Sequence, residues 1–307
     1  MKINIVKKLN IFLACCFICY FAIGIFTYQA DKVVIVVMDG ARISETFNDP
    51  DRVNIPYLDE LSKQGSLFRR FYNNGKTKTM EGYATILTGV YHEKVVEGDL
   101  IKEPSIFQVF IQQKKFFGPK AQAVLSKEKL KVFENTGYLQ YPPQEIYAGK
   151  DGEDMTDDEA FNMALDVLEN EKPSLLLVGF AEPDVTCHVE SFEQCVEQIR
   201  VTDKRIVDLW KHIQAIPFYK NKTTLIVTND HGRHLDGVKE GFSNHGDGCM
   251  GCRNVFLLAV GPDIKKGYES PQDREQIDIA STIAELLNFN FPSGKGRVLQ
   301  EMFIEKK

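Results

Sequence analysis

Asp39, Asp184, His188, Asp230, His231 and His245 are the side chains of this chain whose types and spacing suit metal chemistry. Each lies beside a short apolar run. Asp39 closes Lys32–Met38 (KVVIVVM), and Asp230-His231-Gly232 closes Thr223–Thr228 (TTLIVT). Asp184 and His188 follow Ser174–Phe180 (SLLLVGF) after the turn Ala181-Glu182-Pro183, and His245 stands in a Gly-rich loop before Asn254–Val260 (NVFLLAV). Carboxylate oxygens and imidazole nitrogens suit zinc or another first-row divalent ion. The set is too large for one tetrahedral ion. It suits two ions about 4 Å apart, an arrangement made for in-line phosphoryl chemistry. A lone Asp at a strand end is ordinarily a turn or a cap, so the ordered set carries the argument. His92, His212 and His234 read as ordinary surface or loop residues, with His234 close enough to the site to be a minor exception.

Such chemistry also needs a nucleophile. Asn74–Thr79 (NGKTKT) leads into Met80–Gly89 (MEGYATILTG). A hydroxyl at a helix start meets free backbone N–H groups and the positive end of the dipole, which favour an anion. A nearby metal ion lowers its pKa further. The same Thr-rich turn also suits an ordinary helix cap. Lys76 and Lys78 would neutralise an anionic substrate there, or serve as solvated loop residues.

The elements that must position these groups follow from patterning. Lys32–Met38, Ser66–Tyr72, Ala121–Leu125, Ser174–Phe180, Thr223–Thr228 and Asn254–Val260 read as strands. Helical spacing marks 54–64, with Asn54 as cap, then 79–88, 105–113, 157–169, 189–213 and 278–287, with Asp278 as cap. Residues 139–156 read as a polar surface loop. Apolar strands alternating with helices predict an α/β fold of three layers, with a central, mostly parallel sheet and helices on both faces. In such sheets ligands gather outside the carboxyl ends of the strands, where the acids and histidines stand.

Composition narrows the classes. The chain has 307 residues, 43% hydrophobic and 26% charged, which excludes a disordered or collagen-like chain and a multi-span membrane protein. The net charge of −6 gives no broad basic surface for nucleic acid. Residues 1–30 hold Lys2, Lys7 and Lys8, no acid, and the uncharged run 11–26. A basic start followed by a short apolar run reads as a secretory leader, with 31–307 as the catalytic domain. The run is shorter than the about 20 residues of a spanning helix. Retention as an N-terminal membrane tether, or a lipid on Cys15, stays open from the same residues. Removal of residues 1–30 leaves 34 basic against 43 acidic residues, a charge of −9. The expected location is periplasmic, extracellular or membrane-anchored. Beyond the leader stand Cys187, Cys195, Cys249 and Cys252. An even number in an exported domain predicts disulfides, with three connectivities. Cys249-Met250-Gly251-Cys252 is alternatively half of a four-cysteine zinc site or a redox pair.

Taken in order, these motifs resemble the alkaline phosphatase superfamily, and within it the compact phosphodiesterase/nucleotide pyrophosphatase and phosphatase branches. The resemblance covers residues 32–303. It rests on VVMDG at 36–40, TKTMEGYATILTG at 77–89, DVTCH at 184–188, TNDHG at 228–232, HGDGCMGCR at 245–253 and DIASTIAELLNFNFPSGKGRVL at 278–299. It implies that Asp39, Thr79, Asp230 and His231 hold one metal and that Asp184, His188 and His245 hold the other. It implies Thr79, rather than Thr77, as nucleophile. The implied ions are two Zn²⁺, with Mn²⁺ also suited to the donors. The implied activity is hydrolysis of a phosphate mono- or diester through a phospho-threonine, on a phosphorylated small molecule, nucleotide or lipid. Met80-Glu81-Gly82 replaces the Phe-Pro-Asn of nucleotide pyrophosphatases, and Glu97–Leu100 lacks their phosphoryl-holding Asn. The Cys/Ser-X-Pro-X-Arg motif of the sulfatase branch is absent, which argues against sulfatase activity. A membrane-tethered phosphotransferase acting on a glycan or lipid, and a non-catalytic binding protein on the same scaffold, are the alternatives.

Overall fold

The apolar runs form the middle of one sheet. The computed structural model describes residues 28–96, 100–114, 120–137, 141–149 and 151–305. Residues 1–27, on which the leader, tether and Cys15 expectations mainly fall, lie outside the described residues. In chain order the elements are β1 (Lys32–Met38), α1 (Pro56–Ser62), β2 (Ser66–Tyr72), α2 (Thr79–Thr88), α3 (Ile106–Lys114) and β3 (Ala121–Leu125). Next come β4 (Glu145–Tyr147), α4 (Asp157–Asp166), β5 (Leu175–Phe180), α5 (Glu182–Val189), α6 (Phe192–Ala215) and β6 (Thr223–Thr228). The chain closes with α7 (Met250–Arg253), β7 (Asn254–Val260), β8 (Tyr268–Glu269), β9 (Arg274–Glu275) and α8 (Asp278–Leu286).

Among the described residues the sheet has nine strands, in the order β4-β3-β5-β1-β6-β7-β2-β8, with β9 also on β2. Strands β4, β3, β5, β1 and β6 are mutually parallel. Strand β7 runs antiparallel to both β6 and β2. Two reversals return β2 to the direction of β1, so β1, β2, β3, β5 and β6 all end on one edge. The expectation of a mostly parallel sheet holds, with β7 as the reversed strand.

Every residue of β1 is buried, and its alternation divides the core. Val33, Ile35 and Val37 face a layer containing α2, α3 and α8. Val34, Val36 and Met38 face a layer containing α1, α4 and α6. Each fully buried aliphatic side chain stabilises this arrangement by about 1.5–3 kcal/mol.

Several boundaries differ from the pattern reading, each for a tertiary reason. Asn54 does not cap α1. The Tyr57 and Leu58 N–H groups donate instead to Asp203 of α6, at 2.9 and 2.7 Å. Asp278 is the first residue of α8 rather than its cap, and its carboxylate accepts from Arg297 N and Glu275 N. The loop 139–156 contains β4, which pairs with β3. The segment after β5 is not an open turn but α5, entered through Pro183. It breaks at Glu190, and α6 restarts with a capping box in which Ser191 and Gln194 satisfy each other's backbone N–H groups. A Cys187–Cys195 disulfide joins the two helices, whereas Cys249 and Cys252 form no disulfide. Among the described residues no helix is long and apolar enough to cross a membrane.

Candidate metal centre

The shared strand edge gathers the sequence-selected residues. Asp39 leaves β1, Asp230 and His231 leave β6, and α5 after β5 carries Asp184 and His188 one turn apart. His245 arrives from the loop that leads back into β7. Gly40 (φ +66°) makes the convergence possible, because a Cβ there would stand 2.6 Å from Asp184 Oδ1. Gly82 does the same for α2, where a Cβ would meet the Asp230 carbonyl at 2.6 Å. Asn73 and Gln276 both donate to that carbonyl, at 2.9 Å each, and fix the loop that carries Asp230.

Two donor groups result. Asp39, Asp230 and His231 form one, with His231 Nε2 at 3.5 Å from Asp39 Oδ1 and 3.4 Å from Asp230 Oδ2. Asp184, His188 and His245 form the other. His188 Nε2 is 3.3 Å from Asp184 Oδ1, and His245 Nε2 is 3.1 Å from His188 Nε2 and 3.5 Å from Asp184 Oδ1. A tetrahedral ion with ligands at about 2.0–2.2 Å places them roughly 3.3–3.6 Å apart, so both groups have ion-sized spacing. The His231 and His245 rings stack between the groups at 3.8 Å.

The hydrogen bonds prepare these atoms for a cation. His231 Nδ1 faces the Gly232 carbonyl at 3.0 Å, and His245 Nδ1 faces the Thr77 carbonyl at 2.9 Å. A carbonyl only accepts, so each Nδ1 holds the proton and each Nε2 keeps its lone pair. Asp39 Oδ1 and Asp230 Oδ2 are buried without a hydrogen-bond partner, which suits a divalent ion. Burial, and then the nearby Asp39 carboxylate, hold the Asp230 carboxyl well above the usual range. Burial, and then His231, push His245 down to about 2, so it stays neutral. Burial alone would raise Asp184, but His188, Lys127, His231 and Arg233 reverse this and hold it well below the usual range.

Thr79 is the first residue of α2 and is buried. Its Oγ1 lies 3.4 Å from His231 Nε2. Thr77 instead accepts a hydrogen bond from Gly248 N, at 3.2 Å. The two lysines part from the cluster. Lys76 is half exposed and pairs with Glu93 at 3.2 Å. Lys78 is exposed beside Gly246.

Two buried cations escaped the sequence reading. Lys127 Nζ donates to Asp184 Oδ2 at 2.7 Å and stands 2.7 Å from Asp39 Oδ2, at ion-pair distance without hydrogen-bond alignment. It also donates to Thr79 Oγ1 at 3.4 Å. Burial pulls its pKa down, but Asp39 and Asp184 outweigh this and keep it charged. Arg233 Nη2 pairs with Asp184 Oδ1 and donates to its carbonyl at 2.7 Å. Lys127 carries a signal of the kind used for the acids, since it lies just past the carboxyl end of β3. Arg233 is two residues beyond His231.

Donor groups at the carboxyl edge of this sheet define an alkaline phosphatase-like protein. Residues 31–289 match the Sulfatase family, and the chain belongs to that family. That family lies within the alkaline phosphatase superfamily, whose members use divalent metals. A segment of 133 residues, 42% of this chain, is 29% identical to the 2,3-bisphosphoglycerate-independent phosphoglycerate mutase of Gracilaria tenuistipitata var. liui. It spans only 24% of that curated relative's length. Among solved structures, murine ectonucleotide pyrophosphatase/phosphodiesterase 5 is 16% identical with a TM-score of 0.67, covering 89% of this chain and 100% of that one. An alkaline phosphatase superfamily protein from Vibrio parahaemolyticus is 18% identical with a TM-score of 0.67, over 91% and 72%. The lipoteichoic acid synthase LtaP of Listeria monocytogenes is 13% identical with a TM-score of 0.64, over 88% and 74%.

Proposed function

We propose that the chain is a metal-dependent phosphoester hydrolase with Thr79 as nucleophile. The carrying observation is the position of Thr79 Oγ1, buried at the start of α2 and 3.4 Å from both His231 Nε2 and Lys127 Nζ. Divalent ions held by Asp39, Thr79, Asp230 and His231, and by Asp184, His188 and His245, would supply Lewis acidity at the phosphoryl oxygens and the attacking hydroxyl. Zinc fits the nitrogen and oxygen donors, and manganese suits them as well. The Lys127 ammonium favours the Thr79 alkoxide over the alcohol, and the N-terminus of α2 adds the positive end of its dipole. Thr79 Oγ1 bonds to phosphorus as the bond to the leaving oxygen breaks, giving a phospho-threonine. Water then breaks the Thr79–phosphate bond and restores the hydroxyl. His231 and His245, fixed by the Gly232 and Thr77 carbonyls, keep their Nε2 atoms aimed at the centre throughout.

Phosphate is favoured over sulfate, despite the family's name, because Thr79-Met80-Glu81-Gly82-Tyr83 replaces the Cys/Ser-X-Pro-X-Arg sequence. An inactive Thr-to-Ala variant of murine ectonucleotide pyrophosphatase/phosphodiesterase 5 is solved in complex with AMP. We extend that kind of ligand, a phosphorylated small molecule or nucleotide, to this chain as substrate class. The Cys187–Cys195 disulfide supports export of the 31–307 domain after a leader over 1–30.

The test is turnover of a chromogenic phosphate monoester and the matching diester by the metal-loaded protein, with and without chelator. Cleavage should stop with chelator, and the faster ester assigns the branch. Chelator-resistant cleavage would defeat the reading. Transfer of the phosphoryl group to an added alcohol, with no release to water, would replace hydrolysis by phosphotransfer.

A further inference from the structure

A second group of donors lies outside the candidate centre. Cys249 is the N-cap of α7 and Cys252 lies within it, His234 follows β6, and Asp247 stands two residues before Cys249. Their ligating atoms converge: Cys249 Sγ and Cys252 Sγ are 3.5 Å apart, and His234 Nδ1 lies 3.5 and 3.4 Å from them. Asp247 Oδ1 is 3.2 Å from His234 Nδ1. All four atoms fall within 4.8 Å of one another. Tetrahedral zinc, with Zn–S about 2.3 Å and Zn–N or Zn–O about 2.0–2.1 Å, sets ligand separations of roughly 3.3–3.8 Å. The sulfurs are not bonded to each other, and a nitrogen and an oxygen stand at comparable distances.

We propose that Cys249, Cys252, His234 and Asp247 bind a structural zinc ion, separate from the Asp/His centre. Two thiolates, an imidazole and a carboxylate fill a tetrahedral shell and leave no open position, the pattern of a structural rather than a catalytic site. Thiolate donors select zinc over the harder divalent ions. His234 and Cys252 are buried, at 2% and 0% exposure, so the ion is shielded. Lys239 Nζ holds Asp247 Oδ2 at 2.9 Å, which turns Oδ1 towards the other donors and offsets the excess negative charge. Cys249 N donates to the same Oδ1 at 3.0 Å.

The site sits on backbone that reaches the candidate centre. Gly232 N donates to the Cys252 carbonyl at 2.8 Å, and His234 N donates to the Asn244 carbonyl at 3.0 Å. The ion therefore staples the strand exit carrying His231 to the loop carrying His245. Gly248 N, inside the staple, holds Thr77 two residues before Thr79. Its role is to position these groups, and it touches no substrate.

The test loads the full chain with Co²⁺ in place of zinc and records its absorption. A thiolate-to-cobalt charge-transfer band with tetrahedral d–d bands is expected, and the part due to this site disappears in Cys249→Ser and in Cys252→Ser. The Asp/His centre contains no sulfur, so failure of the phosphoester reading would leave this band untouched. Zinc content should also fall by one ion per chain in each variant. Should a variant fail to fold, the wild type decides: Cys249 and Cys252 resist alkylation in the zinc-loaded protein and react after chelation, as located by peptide mapping. A band indifferent to both substitutions, ready alkylation of both cysteines with zinc present, or an isolated Cys249–Cys252 disulfide would overturn the proposal.

Discussion

Two clusters share the loop between β6 and β7 yet are built to opposite plans. The Asp/His centre uses only oxygen and nitrogen donors. It leaves Asp39 Oδ1 and Asp230 Oδ2 unpartnered and sets a threonine hydroxyl beside them. The Cys249, Cys252, His234 and Asp247 group supplies four mutually close donors, two of them sulfur, with no hydroxyl among them. The first plan leaves room for a reacting oxygen, and the second closes a shell. Donor softness and open positions thus separate a centre that would do chemistry from one that would hold its loop still.

Substitutions at each cluster test this contrast, beginning with the open centre. Thr79→Ala should cut chelator-sensitive turnover by on the order of 10³-fold or more, because it removes the bond-forming atom. Its metal content should stay near that of the wild type, and unchanged turnover would remove Thr79 from the chemistry. Lys127→Ala should cost roughly 10²-fold in turnover, through loss of charge stabilisation at Thr79 Oγ1. A wild-type kcat in that variant would reduce Lys127 to a partner of the two carboxylates.

The closed site should act more weakly. Cys249→Ser is expected to lower turnover by roughly tenfold, because it loosens the loop of His245 without touching the reacting atoms. A loss as deep as that of Thr79→Ala would erase the distinction between the clusters. Cys187→Ser opens a disulfide that spans eight residues and ties the helix of Asp184 and His188 to α6. Denaturant titration should show a loss of about 2–3 kcal/mol. Lys76→Ala should change least. Its half-exposed pairing with Glu93 is of a kind worth about 0–1 kcal/mol. A large rise in KM would instead make Lys76 a substrate contact.

The open centre was the more legible of the two. Asp39, Asp230 and His231 follow β-branched runs whose burial needs no partner to be recognised, so local pattern alone marks them. Asp184 and His188 are marked by the apolar run Ser174–Phe180 before them, although the helix that carries them is not. The helix form of 182–189 depends on packing against α6 and on the Cys187–Cys195 bond, neither of which leaves a periodic signal. Lys127 was hidden because β3 is short and a lysine past a strand reads as solvated. Only the pairing of β3 with β5 buries it between Asp39 and Asp184. Asp203, capping α1 from a helix some 145 residues away, is the same lesson in backbone terms. His234 reads as a loop residue near the site, and the Cys-X-X-Cys motif alone calls for the other two cysteines to complete a zinc shell. The disulfide consumes those, and the fold supplies His234 and Asp247 instead.

The proposed reaction is covalent, with the phosphoryl group passing through Thr79. It is tested most directly by acid-quenching the metal-loaded protein during turnover of a phosphate ester and mapping the phosphate by peptide mass spectrometry. Phosphate is expected on the peptide containing Thr79, located on that residue and absent when chelator is added first. Turnover with Thr79 free of phosphate at every quench time, beside a Thr79→Ala variant that keeps its rate, would contradict it.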